Sequence, residues 1–182
     1  YNKEQSGVST TTTSSSTTSS STQQTQQLGI QFSNPVFSNG QLTITVTNTG
    51  NQIYTYYIGC TVVAKSIAGS GCDLNASGNP YYDIQPQSIT LQPGQSQQIT
   101  FDLTSGLKNL DQYQNLYVII KGYSDNAMTT CLTGTSIQIT NPYYVPPQPG
   151  LSIDNMIYSN GTLTVIVTNT GTGTFTYYIG VS

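Results

Sequence analysis

The nine residues from Leu42 to Gly50 decide the fold of this chain, and they read Leu-Thr-Ile-Thr-Val-Thr-Asn-Thr-Gly. Leu42, Ile44 and Val46 alternate with threonines, so the stretch has one apolar face and one hydroxyl face. This period of two residues is that of a β-strand with one buried face. The closing residues Asn-Thr-Gly favour a turn. The stretch therefore predicts a half-buried strand that ends in a turn.

The same stretch occurs a second time, 121 positions further along the chain. Residues 163–171 read Leu-Thr-Val-Ile-Val-Thr-Asn-Thr-Gly, and the match continues outward at the same offset. Ser38-Asn39-Gly40 returns as Ser159-Asn160-Gly161, and Thr55–Gly59 returns as Thr176–Gly180. A repeat of this length is the size of a domain rather than of a solenoid unit. We therefore expect one complete domain and the first half of a second.

Short stretches with the same alternation follow the first copy. Their inward positions are Tyr54, Tyr56, Ile58 and Cys60, then Ile99, Phe101 and Leu103, then Leu116, Val118 and Ile120, and last Ile137 and Ile139. Asn39-Gly40 is the preferred pair for a two-residue type I′ hairpin. Residues 107–110 could form a single helical turn. About seven short strands within roughly a hundred residues predict an all-β fold, an antiparallel β-sandwich.

Composition divides the chain into four parts. Residues 1–27 are rich in Ser, Thr and Gln and have almost nothing to bury, so we expect a flexible tail or stalk. Residues 28–141 form the β-sandwich. Residues 142–150 form a stiff, proline-rich linker. Residues 151–182 supply the first half of the second domain.

The N-terminal region has a second interpretation, as a donor segment that completes the sheet of a neighbouring molecule. Threonine favours strands, and an extended segment can add a strand to a sheet. The threonine-rich tail lacks alternating large apolar side chains. Leu28, Ile30 and Phe32 are therefore the better candidates for such an interface.

The incomplete second copy raises a question of burial. Its inward residues, Leu163, Val165, Val167, Tyr177 and Ile179, would face no opposite sheet. Burying one such side chain contributes roughly 1.5–3 kcal/mol, so leaving all of them exposed would be a large loss. Either the natural chain continues past Ser182, or another chain supplies the missing strands. The repeat favours continuation of the chain, because the remaining strands would follow in the same order as in the first copy.

The balance of charge excludes several classes of function. Only 6% of the residues are charged, the net charge is −3, and histidine is absent. The chain has no basic run for nucleic acid and no apolar run long enough to span a membrane. The seven acidic residues are scattered, so no pair of carboxylates for glycoside hydrolysis is indicated. We expect no catalytic residues, no metal site, no cofactor and a location outside the cell.

Three cysteines permit one disulfide bond and leave one thiol. Cys60 falls in phase with the inward residues of its strand, as a small buried apolar residue would. Cys72 is close in sequence and lies in a glycine-rich loop that could fold back. We expect a Cys60–Cys72 bridge in preference to either pairing with Cys131.

Candidate modification and contact residues lie in loops and on outward strand positions. Asn75-Ala76-Ser77 and Asn160-Gly161-Thr162 match the acceptor motif for N-glycosylation, and both fall in expected turns. Tyr57 and Tyr178 occupy outward positions of equivalent strands. They are candidates for packing against another subunit or a glycan. The alternative is that they pair with neighbouring threonines on the surface of the sheet.

The order of these motifs resembles a known group of domains. Val-Thr-Asn-Thr-Gly closes one strand, an aromatic strand follows, and Leu-Gln-Pro-Gly-Gln at residues 91–95 precedes Ile-Thr-Phe. This order resembles the immunoglobulin-like (CARDB-type) modules of prokaryotic surface proteins, over residues 30–140 and again over 151–182. The resemblance implies tandem Ig-like sandwiches, the second of them incomplete.

The composition, rich in Ser, Thr, Asn, Gln and Tyr, further resembles surface proteins of thermoacidophilic archaea, including thread filaments and surface-layer stalks. Threads join N-glycosylated β-sandwich subunits through donor strands. The resemblance implies a non-enzymatic structural protein at the cell surface, a subunit of a filament or surface layer. Its partners would be copies of itself, other surface subunits and N-linked glycans. The alternative is an adhesin or ligand-binding module on a Ser/Thr-rich stalk.

Overall fold

The computed structural model describes residues 25–180, so the expectations for residues 1–24 lie outside the described residues. The described part contains nine strands, one short α-helix and one 3₁₀ turn at Gly71–Asp73. In chain order they are β1 (Ile30–Ser38), β2 (Gln41–Asn48), β3 (Tyr54–Ala64), β4 (Tyr81–Leu91), β5 (Ser96–Asp102), α1 (Thr104–Asn109), β6 (Asn115–Tyr123), β7 (Cys131–Thr140), β8 (Leu151–Ser159) and β9 (Thr162–Asn169).

The first seven strands form two antiparallel sheets. One sheet has the order β1-β2-β5, and the other has the order β4-β3-β6-β7. Their apolar faces meet in one core, in which Leu42, Ile44, Val46 and Phe101 are fully buried. The predicted all-β antiparallel sandwich is therefore confirmed.

The hairpin between β1 and β2 follows the turn chemistry that the sequence predicted. Only Asn39 and Gly40 separate the two strands, with φ angles of 50° and 77°. A type I′ turn requires positive φ at both central residues, and Asn-Gly is the pair that adopts it most easily. The expected two-residue hairpin is confirmed.

Strand β4 was not anticipated from the sequence. Pro86 interrupts its alternation, and proline cannot donate a ladder hydrogen bond. In the structure β4 is the edge strand of its sheet, and Pro86 lies where the register with β3 shifts between Ile58 and Cys60. The edge and the register shift together explain why a proline is tolerated there.

The helix α1 spans Thr104–Asn109, where only a turn near residues 107–110 was expected. The side-chain amide of Asn141, which is buried, donates to the carbonyl oxygens of Leu107 and Leu110 at 2.9 and 3.1 Å. These bonds satisfy carbonyl groups that the end of a helix leaves without partners.

The expected Cys60–Cys72 bridge is wrong, because Cys72 is bonded to Cys131. Cys60 points into the core between the sheets, whereas the loop that carries Cys72 folds over the opposite face of the sheet. There Leu74 packs against Val63. The backbone of the sheet therefore separates the two thiols. Burial, with a smaller contribution from the charge of Asp83, raises the pKa of the Cys60 thiol to about 12.

Gly134 allows this loop to reach Cys131. A Cβ atom at Gly134 would collide with the carbonyl oxygen of Gly71, next to Cys72. A glycine at this position of β7 therefore lets the backbone of the loop approach closely. The sequence signal was present as a glycine inside a strand, but it does not say which segment approaches.

The repeated Asn-Thr-Gly motif forms a buried polar cluster. Asn48 is fully buried, and its amide nitrogen donates to the carbonyl oxygens of Gln52 and Leu91 at 2.8 and 3.0 Å. Its Oδ1 accepts from the Gly50 amide at 2.8 Å and lies 2.6 Å from the hydroxyl of Tyr56. Each polar atom of the amide group is thus satisfied, as burial requires.

The second unit, residues 148–180, reproduces this geometry at the same offset of 121. The Gly171 amide donates to Asn169 Oδ1 at 2.9 Å, and the hydroxyl of Tyr177 lies 3.2 Å from that oxygen. Asn155 has φ 51° beside the register shift of β8, as Asn34 has φ 50° beside that of β1. The two copies therefore share local structure as well as sequence.

The inward residues of the second unit are largely exposed. The exposed fraction is 43% at Leu163, 42% at Val167 and 48% at Ile179, against 0% at the equivalent Leu42, Val46 and Ile58. Residues 174–180, which correspond to the start of β3, form no strand in the described part of the chain. In the first unit β3 pairs with β4 and β6, and residues 148–180 contain no counterparts of those strands.

Candidate functional site

The outer face of the sheet β4-β3-β6-β7 carries a cleft of about 370 Å³, called here the main cleft. Its floor is the middle of β3, where Gly59 and Thr61 face outward. Gly59 has no side chain, and a Cβ there would lie 3.4 Å from the ring of Tyr123 and 3.6 Å from Met128 Sδ. The missing side chain therefore leaves room between those two residues.

The walls and roof of the main cleft come from three elements. β4 supplies Tyr81 and Asp83, and β6 supplies Lys121. The disulfide-bonded loop supplies Leu74, Asn75 and Ala76 as the roof. A loop held by Cys72–Cys131 thus covers part of the cleft.

A carboxylate, an ammonium group and a phenol share this cleft. Thr61 Oγ1 donates to Asp83 Oδ1 at 2.7 Å across the β3–β4 pair. Burial raises the pKa of the Tyr123 hydroxyl, and the negative charge of Asp83 adds to that rise. The cleft therefore offers a carboxylate acceptor, the amino group of Lys121 as a donor and a phenolic hydroxyl.

Two further depressions continue the main cleft along β3. One of about 200 Å³ is lined by Tyr57, Met128 and residues 85–88. The other, of about 330 Å³, lies beyond Tyr57 and is lined by residues 53–55 and 124–126. Tyr57 borders both depressions, and Met128 borders both the main cleft and the first depression. Together they form one groove, called here the outer groove.

Catalysis, metal binding and membrane insertion use characteristic residue sets, against which the main cleft and the rest of the described chain can be compared. Asp83 is the only carboxylate in its lining, whereas hydrolysis of a glycoside normally uses two. Within residues 25–180, no three His, Cys, Asp or Glu side chains lie close enough to hold a metal ion. In the same residues no helix is long and apolar enough to cross a membrane.

The structure brings Tyr57 and Asn75, two of the residues singled out from the sequence, to the outer groove. Asn75 lies at the rim of the main cleft, with Oδ1 accepting from the Ser77 amide at 2.8 Å and Nδ2 donating to Asp73 O at 2.9 Å. Tyr57 separates the two smaller depressions. Asn160 lies in the turn between β8 and β9, with φ 52°.

The remaining interface candidates lie elsewhere. Tyr178 is 94% exposed in the second unit. Ile30 is buried in the core, Phe32 packs against that core, and Leu28 is half-buried. In this structure Ile30 and Phe32 pair with Asn48 and Val46 of their own β2. Serving as a donor to another molecule would require β1 to leave its own sheet.

Sequence reasoning missed the outer groove. Tyr57 was assigned an outward position, but the groove it borders depends on β4 and on the loop bonded to Cys131. The one local signal was Gly59, a glycine inside an otherwise bulky strand.

The comparisons with known proteins concern the sandwich. A family model described as an Fn3-like domain matches residues 36–130. No curated protein matches the chain. Among solved structures, a β-glucosidase from Kluyveromyces marxianus is 11% identical with a TM-score of 0.37, covering 63% of this chain and 14% of that one. A GH3 β-glucosidase from Bifidobacterium adolescentis is 16% identical with a TM-score of 0.37, covering 63% of this chain and 17% of that one.

β-Glucosidase 3B from Thermotoga neapolitana is 10% identical, with a TM-score of 0.36 and coverage of 64% and 16%. The chain thus spans less than a fifth of the length of these structures, and a likeness this weak says nothing about its activity. The family match is different, because residues 36–130 are more than half of the 182 residues. This chain belongs to the Fn3-like domain family.

Proposed function

We propose that this chain is a non-enzymatic structural protein of the cell exterior, a subunit of a surface filament or surface layer built from tandem Fn3-like or Ig-like domains. The observation that carries the proposal is that the second unit repeats backbone hydrogen bonds of the first at the offset of 121 residues. Thr49 N donates to Gly29 O at 3.0 Å, and Thr170 N donates to Gly150 O at 3.0 Å. The same domain design used twice in one chain suits an extended surface protein, although the fold by itself assigns no activity.

The join between the two units supports an extended arrangement. The last backbone bond to the first unit runs from Val145 N to Asp111 O, and the first bond within the second unit joins Gln148 N to Thr172 Oγ1. Only Pro146 and Pro147 lie between them. Proline-rich linkers act as semi-rigid spacers, which suits consecutive domains held apart in an extended filament.

The polar surface suits an exposed and acidic setting. Neutral hydroxyl pairs bridge neighbouring strands, as between Thr43 and Thr100 at 2.8 Å and between Thr55 and Thr90 at 2.7 Å. Such pairs keep their hydrogen bonds when carboxylates are protonated. The proposal includes N-glycans at Asn75 and Asn160. It also draws on the resemblance of the sequence to CARDB-type modules and to archaeal threads.

The exposed apolar face of the second unit supplies a route to assembly. Asn169 Nδ2 donates to Gly173 O at 2.9 Å, which matches the bond from Asn48 to Gln52. The second bond of Asn48, to Leu91 on β4, has no counterpart within the described residues. Strands that follow in the same chain, or a donor strand from a neighbour, would supply it.

Electron microscopy of the native material tests the proposal. We expect beaded or helical assemblies with a regular repeat. Discrete single particles under the same conditions, together with a single-subunit mass by light scattering, would overturn it. Intact-glycopeptide mass spectrometry tests the two acceptor sites separately, and unmodified peptides at both would refute glycosylation without touching assembly.

A second candidate function is an adhesin or ligand-binding module. The outer groove, with its mixed polar and aromatic lining, is the observation that favours it. A monodisperse protein that binds defined oligosaccharides on an array would support this role over the structural one.

A further inference from the structure

We propose that the main cleft binds the pyranose ring of a neutral saccharide. The inference goes beyond the structural role proposed above and does not depend on filament assembly. It rests on the size of the cleft, on the pairing of apolar and polar groups within it, and on its place on the face of a sheet.

The size of the cleft fits a small ligand. Its volume of about 370 Å³ lies at the lower end of the range of roughly 300–1,000 Å³ that small-molecule sites occupy. The cleft exists because β3 carries Gly59 where its neighbours carry bulky side chains. The disulfide-bonded loop roofs it on one side.

The chemistry of the cleft matches the two surfaces of a sugar ring. A pyranose has C–H faces that pack on apolar side chains and a rim of hydroxyl groups that donate and accept hydrogen bonds. Tyr81, Pro86 and Met128 offer apolar contact in the lining, and Tyr81 is 57% exposed. Asp83 can accept through the oxygen that does not receive the Thr61 bond, and Lys121 can donate.

The pairing of opposite charges argues for a neutral ligand. Asp83 would repel an anion and Lys121 would repel a cation, whereas hydroxyl groups can bond to both. An extended peptide is a poorer fit, because peptides that add to a sheet do so along a strand edge. The cleft lies on the face of the sheet, where β3 is already paired on both sides by β4 and β6.

Two sources can supply the pyranose ring that binds in the main cleft. One is a glycan attached to Asn75, at the rim of the cleft; this source rests on the glycosylation proposed above. A tether of a few bonds would raise the local concentration of the sugar into the millimolar range or higher, so weak contacts would suffice. The other source is a saccharide carried by a different molecule.

The first experiment uses unglycosylated protein made in bacteria and labelled with ¹⁵N. Cellobiose, mannobiose and N,N′-diacetylchitobiose are titrated in turn to on the order of 10 mM, and sorbitol serves as an open-chain control. We expect saturable shifts of the amides of Gly59, Thr61 and Lys121 with at least one disaccharide and none with sorbitol.

A pair of variants separates the cleft from the rest of the sheet. Gly59→Val fills the floor: its Cβ would make ordinary contacts at 3.4 and 3.6 Å, and its two methyl groups would occupy the space beside Tyr123 and Met128. The amide spectrum of the remaining strands checks that the variant is folded. We expect Gly59→Val to abolish the shifts, or weaken binding at least tenfold. Gln138→Val, at an exposed position on β7 of the same sheet, should leave them unchanged.

The second experiment identifies the source with native protein. Hydroxyl-radical footprinting reports the oxidation of Tyr81 and Met128 in the cleft, with Val145, 58% exposed and outside both the cleft and the open face of the second unit, as internal reference. If the Asn75 glycan fills the cleft, both residues are protected relative to bacterial protein, and added disaccharide changes nothing further. If the saccharide comes from elsewhere, added disaccharide protects both proteins alike.

The outcomes distinguish failure of this inference from failure of glycosylation. An unmodified Asn75 in the native protein refutes the tethered source, while saturable shifts in the bacterial protein still support the site. The inference is overturned if no disaccharide shifts the cleft amides and native protein shows no protection there. Shifts that survive Gly59→Val overturn it too, because binding would then lie outside the cleft.

Discussion

Asn48 explains at the scale of a single residue why the Asn-Thr-Gly motif recurs. Its amide group joins three segments, because it bonds to Gln52 in the turn, to Leu91 on β4 and to Tyr56 on β3. Leaving a buried polar group without a partner costs about 1–3 kcal/mol, so the cluster is expensive to break. The sequence predicted a turn at this point, but a buried amide could not be read from an otherwise ordinary turn residue.

The repeat offers a matched test of that residue. Asn48→Ala should destabilise the sandwich by roughly 2–4 kcal/mol, because the Leu91 and Gln52 carbonyls and the Gly50 amide lose their partner. Asn169→Ala removes the equivalent group from an exposed position and should leave the main unfolding transition unchanged. Urea unfolding followed by circular dichroism measures both. Equal losses of stability in the two variants would mean that the contribution of the asparagine amide does not depend on its burial.

Asp125 makes the pH dependence testable. Backbone hydrogen bonds from Thr129 and Thr130 to its carboxylate, at 3.0 and 2.7 Å, hold the pKa of Asp125 below its usual range. A carboxyl group whose folded pKa is lowered stabilises the fold above its unfolded pKa of about 3.9, and that stability is lost as the pH falls through the folded pKa. Hydrogen bonds that Thr104 donates to the Asp102 carboxylate likewise lower the pKa of Asp102.

We therefore expect stability to be nearly level from pH 7 to about pH 5 and to fall below about pH 4. Asp125→Asn should lower the melting temperature at neutral pH and make the acid branch shallower, since the variant has one fewer group to protonate. Differential scanning calorimetry from pH 2 to 7 checks this. An unaltered acid branch in the variant would show that the carboxylate does not hold the 125–130 loop.

At the scale of elements, the loop between β3 and β4 is the part that local sequence pattern could not specify. Alternation predicted β2, β3, β5 and β6 with their inward residues because each pattern is local. The path of the loop depends on contacts distant in sequence, between Gly71 and Gly134 and between Cys72 and Cys131. The roof of the main cleft depends on the same contacts, which is why Asn75 could be singled out by its motif while its place beside the cleft could not be predicted.

The disulfide bond should therefore contribute measurably to stability. It closes a segment of 59 residues, for which the chain-entropy model gives about 4 kcal/mol and experience with native bonds about 2–5 kcal/mol. We expect the double variant Cys72→Ala, Cys131→Ala to lose stability in that range. The buried thiol is tested by Cys60→Ala, which should leave the bond intact.

Peptide mapping under non-reducing conditions identifies the bond directly. The Cys72 and Cys131 peptides should run as one linked species, and Cys60 should react with an alkylating reagent only after unfolding. A linked pair that contains Cys60 would contradict the structure and restore the pairing expected from sequence distance.

At the scale of the whole molecule, two copies of one design differ in what covers them. The first copy buries Leu42, Ile44 and Val46 against an opposite sheet, whereas the second leaves the matching face of β9 largely open. An open apolar sheet face of this kind marks an interaction surface or an aggregation hazard. The proposed assembly predicts that this face becomes covered.

Equivalent substitutions in the two copies test that difference. Val46 is fully buried, so Val46→Asp places an unpaired charge in the core and should prevent the sandwich from folding. Val167, at the equivalent position, is 42% exposed, so Val167→Asp should leave the sandwich melting curve unchanged. Circular dichroism separates these two results.

The same Val167→Asp variant should also lower self-association, because a charge on the open face opposes its burial against any partner. Light scattering after size-exclusion chromatography, across a range of concentrations, gives the mass of each species. Thr164→Asp, at an exposed position outside the apolar set of the same strand, is the matched control for added charge and should associate as the unmodified chain does. If both variants lower association equally, net repulsion is responsible and the apolar face is not the contact surface. If neither does, assembly proceeds through another surface, and the open face of β9 has no part in it.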